Sequence, residues 1–296
     1  MNKNIITVIT PTYNRAHILG NCYNSLINQT QKDFVWMIID DGSVDNTQQL
    51  IKEWQKENKI KIVYYKKNNG GKASALNLAF DKVQTSYLVC LDSDDTFEKN
   101  TIEIVLSKLE KIKDNCDYCG IIALRTAQNG SVLGGKEIPD GVFDIKTPEI
   151  ENVYKINSEV ICFFKTNVIT KYRFPVIPNE KFISPAYLEY EVCRKYKFLV
   201  SKEVLCYCEY QEDGLTKNKR TVIKQNPIGY TIVKKQSYEL STNPLFKIKH
   251  GVMYICGSLL SNDKAIIKNS PSRIMTIALF PIGWLIYILR YKLDIL

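Results

Sequence analysis

The sequence predicts an α/β fold with a mostly parallel central sheet, and three observations predict it. Along residues 1–125, short apolar runs alternate with apolar residues at helical spacing, the pattern of repeated βα units. The runs are continuous rather than alternating, as expected of parallel strands covered on both faces. Two of them end in acidic clusters, and in such sheets ligands sit beyond the carboxyl ends of the strands.

Ile5–Ile9 reads as the first buried strand, and Ile18, Leu19, Cys22 and Leu26 follow at helical spacing. Val35–Ile39 is the second strand, Leu50, Ile51 and Trp54 mark a short helix, and Ile60–Tyr65 is the third strand. Ala75, Leu76, Ala79 and Val83 share a helix face before the strand Tyr87–Leu91. Ile102, Val105, Leu109 and Ile112 recur at helical intervals ahead of the strand Tyr118–Leu124. Residues 126–215 are less regular, with five prolines among aromatic runs, and one helix is expected where Tyr187, Leu188, Tyr190 and Val192–Tyr196 cluster. The tail carries an almost wholly apolar stretch, Ile274–Leu289, between Arg273 and Arg290. Sixteen residues fall short of the about 20 that a spanning helix needs, and the flanking Trp284, Tyr287, Tyr291 and Lys292 suit a helix lying in a membrane surface. Packing on the protein's own core is the alternative.

At 296 residues, 45% hydrophobic and 24% charged, the chain is globular rather than disordered. Its +9 formal charge admits nucleic acid, anionic lipid, an anionic substrate or a lysine-rich solvated surface. The basic residues are spread along the chain instead of clustering with stacking aromatics, so no nucleic-acid partner is expected. No cleavable signal is visible, and nine irregularly spaced cysteines suit reduced thiols on the cytoplasmic side of a membrane. Cys116 and Cys119 have a redox or zinc half-site spacing but no partner pair, which favours structural thiols.

Asp92-Ser93-Asp94-Asp95 follows a buried strand directly. Clustered carboxylates repel one another unless a cation neutralises them, so a divalent metal bridging them to a diphosphate is one reading. A cap for the helix starting near Asn100, or a turn, is the other. Asp40-Asp41-Gly42-Ser43 ends the second strand, where a carboxylate can accept a uracil N–H or ribose hydroxyls, or merely form an Asp-Gly turn. Asn69-Gly70-Gly71-Lys72 precedes a helix containing Asn77; its glycines permit close approach of a nucleotide, and Lys72 can meet a phosphate or base. P-loop and dinucleotide glycine patterns are absent, and neither His17 nor His250 lies near an elbow serine.

In this order, Pro11-Thr12-Tyr13-Asn14-Arg15, Asp40–Ser43, Asn69–Gly71 with Asn77, and Asp92–Asp94 resemble the motifs of family 2 glycosyltransferases. Each motif is weak alone; four in order, across residues 1–125, are specific. The resemblance implies a GT-A fold, a nucleotide-sugar donor that is usually UDP-linked, Mn2+ or Mg2+, and inversion by direct displacement. It implies that Pro11, Thr12 and Tyr13 line a uridine pocket and that Asp40 or Asp41 meets the base. Asp92 then faces the ribose or sugar, and Asp94, with Asp95, ligates the metal. Arg15, Gly70, Lys72, Asn77 and Ser93 complete the donor site. On this reading residues 1–220 form the GT-A domain, with a nucleotide-binding half to 125 and an acceptor half after it, and 221–296 form a helical extension with the membrane-surface segment 274–289.

Inversion needs a carboxylate that takes the acceptor's proton. The family's acidic pair has no clear counterpart in Asn179–Glu191, where Glu180 and Glu189 are the candidates and Glu191 a weaker third; each can also be a solvated charge. Glu209–Asn218 resembles a segment of polysaccharide-synthesis members that folds over the diphosphate, with Lys217, Lys219 and Arg220 as phosphate contacts; a polar connector is the alternative. The expectation is a transferase extending a lipid-linked or growing envelope glycan at the anionic inner membrane surface. A catalytically silent sugar-nucleotide-binding or assembly protein stays open beside it, and a nucleotidyltransferase ranks last for want of a glycine-rich loop after the first strand.

Overall fold

The computed structural model describes residues 5–208 and 218–293. The elements run β1 (Ile6–Thr12), α1 (Leu19–Ile27), β2 (Phe34–Asp40), α2 (Thr47–Glu57), β3 (Ile62–Lys66), α3 (Lys72–Lys82), β4 (Tyr87–Cys90), β5 (Thr96–Phe97), α4 (Thr101–Ile112), β6 (Tyr118–Leu124) and β7 (Thr126–Ala127). They continue with β8 (Asp144–Ile145), α5 (Thr147–Asn152), β9 (Val160–Lys165), α6 (Thr166–Ile169), α7 (Ala186–Cys193), β10 (Lys197–Val200), β11 (Cys206–Cys208) and the helices α8 (Lys219–Gln225), α9 (Pro227–Leu240), α10 (Pro244–Leu260), α11 (Ile266–Asn269) and α12 (Arg273–Tyr287). The fold is α/β, as the sequence predicts.

The main sheet has the order β3-β2-β1-β4-β9-β6-β10-β8. Strands β3, β2, β1 and β4 are mutually parallel; β9 enters antiparallel between β4 and β6, and β8 closes the far edge antiparallel. β1 and β2 are buried along nearly their whole length, which is why they read as continuous apolar runs. A three-ring stack of Tyr23, Trp36 and Trp54 fixes α1 and α2 on one face of the sheet, with centroids 4.3–5.9 Å apart. Trp36 donates its indole N–H to Thr10 Oγ1 at 2.9 Å, satisfying both polar atoms in the core. A small second sheet, β5-β11-β7, lies beyond the acidic end of β4 in sequence.

The chain divides into two compact units. The first comprises Met1–Lys146, Ile156–Arg173 and Arg194–Glu209, and holds every strand; the second comprises Thr147–Lys155, Phe174–Cys193 and Tyr210–Leu296. In the second, α5 and α7 pack with the C-terminal helices, and α10 packs against both α9 and α12. Tyr238, Tyr254 and Ile255 are its fully buried anchors. The apolar tail forms a longer helix than its sixteen apolar residues suggest. α12 runs on through a wider turn, Ile288–Lys292, giving 20 residues from Arg273, long and apolar enough to cross a membrane by length and composition.

A buried ion-pair cluster ties α5 to α10. Glu151 accepts from His250 Nε2 at 3.0 Å and from Lys249 Nζ at 2.7 Å. The His250 bond, opposed by burial and helped by Lys249, holds Glu151 at about 2, below its ordinary 4.5. Burial lowers His250, and Glu151 only partly offsets this. Both groups therefore bind protons more readily in the unfolded chain, so acid destabilises the second unit. Its unfolding free energy should fall as pH drops below 6.5, and again from pH 4.5 towards 2; denaturant titrations should show that His250→Gln removes the upper limb and Glu151→Gln the lower.

Candidate functional site

The four sequence motifs form one hydrogen-bonded chain of contacts at the carboxyl ends of β1, β2 and β4. In the parallel register, Thr12 lies beside Asp40 and Ile9 beside Cys90, so the segments leaving these strands are neighbours. Asn14, in the left-handed region at φ 53°, donates its N–H to Ser43 Oγ at 2.9 Å and accepts from Val44 N–H at 2.9 Å, joining the first motif to the second. Asp41 accepts from Gly70 N–H at 3.0 Å and Gly71 N–H at 2.6 Å, joining the second to the third. Lys72, the first residue of α3, pairs with Asp92 Oδ1 at 2.5 Å, joining the third to the fourth.

The second strand end is built around two carboxylates with different tasks. Asp40 is fully buried and accepts from Ser43 N–H at 2.7 Å and from the Tyr64 hydroxyl at 2.6 Å, bracing the turn that Gly42 makes at φ 91°. Asp41 also receives Lys67 Nζ at 2.7 Å, and that ammonium reaches Ser74 Oγ at 2.8 Å. Both carboxylates hold the loops in place through these donors. Thr12 Oγ1 is buried without a hydrogen-bond partner among the described residues, while Tyr13 stands half-exposed beside it in sequence and Pro11 is partly buried. Arg15 carries the carbonyl that starts α1, accepting from Ile18 and Leu19 N–H groups, and Asn77 lies within α3.

At the end of β4, Asp92 sits between two cations. Burial pushes its carboxyl up, but the Lys72 ammonium and the Arg125 guanidinium outweigh that and hold it at about 2. Asp94 behaves oppositely: burial and the charge of Asp92 raise it, and Arg15 and Lys72 only partly compensate. Asp95 is buried and paired with Arg125, whose Nε also donates to Val160 O at 3.0 Å. Ser93 is buried beside them. None of these carboxylates caps α4, whose N-cap is Asn100 without a side-chain bond. Arg125 was not among the residues expected at the site. Its signal is a single arginine directly after the buried strand β6, a position that demands a carboxylate partner.

Asp94 and Asp95 are both raised, Asp95 to about 6 by burial and its acidic neighbours despite Arg125, and a hard divalent cation beside these carboxylates would offset that crowding. Asp95, the other expected ligand, pairs with Arg125. Asp95 also lies close to Cys206 and Cys208, with all three ligand atoms within 4.8 Å. Arg125 donates into this group at Asp95 and at Cys208 Sγ, 3.2 Å away, so its positive charge already occupies the place a metal would take.

The remaining candidates belong to the second unit. Glu180 accepts from Ile228 and Gly229 N–H groups, each at 2.8 Å, and so caps the start of α9. Glu189 lies in the first turn of α7, partly buried. Glu191 accepts from Gln236 Nε2 at 2.7 Å. Lys219 and Arg220 open α8, whereas Lys217 and the segment before it lie outside the described residues.

Residues 7–167 match the family model described as glycosyl transferase family 2, more than half of the chain. The chain belongs to glycosyl transferase family 2. It is 40% identical over 111 residues to an uncharacterized glycosyltransferase of Rickettsia conorii, a match covering 38% of this chain and 18% of that protein. It is 33% identical over 132 residues to TuaG of Bacillus subtilis, a glycosyltransferase named for teichuronic acid biosynthesis, covering 44% of this chain and 51% of TuaG. The chain thus spans between about a fifth and about half of these curated relatives' lengths. Its fold resembles Staphylococcus aureus TarS residues 1–349, solved with UDP-GlcNAc, at TM-score 0.60 and 16% identity over 96% of this chain and 91% of that one. It also resembles the mannosyltransferase PcManGT of Pyrobaculum calidifontis, solved with GDP-Man and Mn2+, at TM-score 0.55 and 16% identity over 97% and 87% of the two chains. These likenesses show the GT-A fold.

The Arg125 pairing sets a measurable expectation. Arg125→Met strands Asp95 as an uncompensated buried charge and should destabilise the first unit by about 3–5 kcal/mol in denaturant titration. Arg125→Met combined with Asp95→Leu should recover most of that loss, because no unpaired charge is then left behind.

Proposed function

We propose that the chain is an inverting glycosyltransferase that moves a sugar from a UDP-sugar to a lipid-linked or growing envelope glycan. The observation that carries this reading is the contact chain from Asn14–Ser43 through Asp41–Gly70/Gly71 and Lys72–Asp92 to Arg125. It gathers an unpaired hydroxyl at Thr12, a glycine loop at the start of α3, an ammonium and an under-compensated carboxylate, which together suit a nucleoside diphosphate. The relatives named for envelope glycans support the acceptor class, and the neighbours solved with UDP-GlcNAc and with GDP-Man and Mn2+ support the donor class.

In the mechanism that follows, Thr12 and Tyr13 hold the nucleoside, with Pro11 and Asp41 shaping its pocket. Lys72, on the amino-terminal turn of α3, faces the diphosphate with the helix's positive end behind it. Asp94 would hold a divalent ion, which would supply charge neutralisation for the diphosphate. Arg125 keeps Asp92 ionised and holds Asp95 in position. The acceptor hydroxyl oxygen bonds to the anomeric carbon as the bond from that carbon to the diphosphate oxygen breaks. The electron pair leaves with UDP, and the hydroxyl proton passes to a carboxylate base, for which the sequence offers Glu180 and Glu189 as candidates. The Glu180 carboxylate is engaged by two backbone N–H groups. That engagement also favours, as the second reading, a sugar-nucleotide-binding or assembly protein without turnover.

Release of UDP from UDP-sugars, measured with Mn2+ and envelope glycan acceptors, distinguishes the two. Acceptor-dependent release is expected from the wild type, with kcat reduced about 10²–10⁴-fold in one of Glu180→Gln and Glu189→Gln while the donor KM is retained. Donor binding without release for any acceptor supports the silent reading, and unaltered kcat in Glu189→Gln removes Glu189 from the mechanism.

A further inference from the structure

We infer that the outward face of α12 and its continuation to Lys292 is a docking surface for an anionic lipid bilayer, with the helix lying in the plane of the membrane. This deepens the proposed reading by naming the surface on which a lipid-linked acceptor would be met; its test reads lipid binding and not turnover, so the two fail separately.

The two faces of α12 differ in kind. Thr276, Leu279 and Gly283 are buried and lie on one side at helical spacing. This side is seated on α10 at close range. A Cβ added to Gly283 would lie 2.6 Å from Ile255 Cγ2, and one added to Gly251 would lie 2.8 Å from Leu279 Cδ1. Cys256 Sγ donates to Gly283 O at 3.2 Å. On the opposite side, Ile274, Ile277, Ile282 and Leu285 are 85%, 55%, 50% and 50% exposed, with Ala278 and Pro281 exposed among them and Trp284 at the edge. These positions follow the i, i+3, i+4, i+7 spacing of a single apolar stripe. A stripe of this kind is far from the scattered single apolar residues of an ordinary surface.

Charge identifies the occupant. From Lys264 to Leu293 there is no Asp or Glu, whereas Lys264, Lys268, Arg273, Arg290 and Lys292 are basic. An apolar stripe bracketed by cations and edged by Trp284 and Tyr287 matches the boundary between acyl chains and anionic headgroups. A second copy of the chain fits poorly, because pairing the stripes would bring Arg273, Arg290 and Lys292 of both copies together. A spanning orientation would tear Thr276, Leu279 and Gly283 from α10, so the helix is read as lying flat.

The test uses the full chain with vesicles of phosphatidylcholine alone or mixed with phosphatidylglycerol. Co-sedimentation should favour the anionic vesicles by about tenfold or more and weaken with salt. Trp284 emission should shift to the blue on binding, since Trp36 and Trp54 are already buried. Ile277→Asp combined with Leu285→Asp, and separately Arg273→Glu combined with Lys292→Glu, should each reduce vesicle binding about tenfold with unchanged thermal melting. Equal binding to neutral vesicles, no vesicle binding, or variants that bind like the wild type would overturn the proposal. So would a concentration-dependent dimer that Ile277→Asp dissociates, since the stripe would then belong to a second copy.

Discussion

Everything at the candidate site depends on β1 lying in parallel register between β2 and β4. With Thr12 opposite Asp40 and Ile9 opposite Cys90, three chain segments leave the sheet side by side at one edge. Their polar residues come together without any long loop having to find its partner. The cost is that several carboxylates crowd a partly buried edge, where each charge must be met. Continuous burial of β1 and β2 makes the register rigid, because a one-residue slip would displace every buried side chain.

The crowding is resolved by internal cations, and the way it is resolved divides the labour. Lys67 and two backbone N–H groups hold Asp41, turning an acid into a clamp for the Gly70–Gly71 loop. Lys72 and Arg125 hold Asp92 ionised. Arg125 also takes Asp95. Asp94 and Asp95 are still raised by burial and by their acidic neighbours, so an added cation beside them would be favoured. In the buried Asp95, Cys206 and Cys208 group a guanidinium stands among the ligand atoms and brings the positive charge that a metal would supply.

Much of this was legible in the sequence, for physical reasons. Strands covered on both faces must be apolar throughout, so β1, β2 and β4 are legible, and the acidic clusters that follow β2 and β4 mark the sheet edge beyond which such folds place ligands. Less visible was which acid does what. Asp40 and Asp41 are adjacent in sequence, yet Asp40 turns to Ser43 and Tyr64 while Asp41 turns to the glycine loop, and only the backbone turn at Gly42 decides this. Arg125 escaped notice because its partners lie 30 and 33 positions away. Glu180 reads as a candidate base or a solvated charge, but its capping of α9 depends on a helix start 48 residues later. Periodicity also understated the tail, since Arg290, Tyr291 and Lys292 continue the helix past the end of the apolar run.

We propose that the strand-end contact chain is a nucleotide site completed by a divalent ion at Asp94. Calorimetric titration of UDP into the purified protein, with and without Mn2+, for the wild type and Asp94→Ala, tests it most directly. The account predicts binding by the wild type that Mn2+ strengthens and that Asp94→Ala reduces to its metal-free level. Absence of UDP binding by the folded wild type, or binding indifferent to both Mn2+ and Asp94, would contradict it.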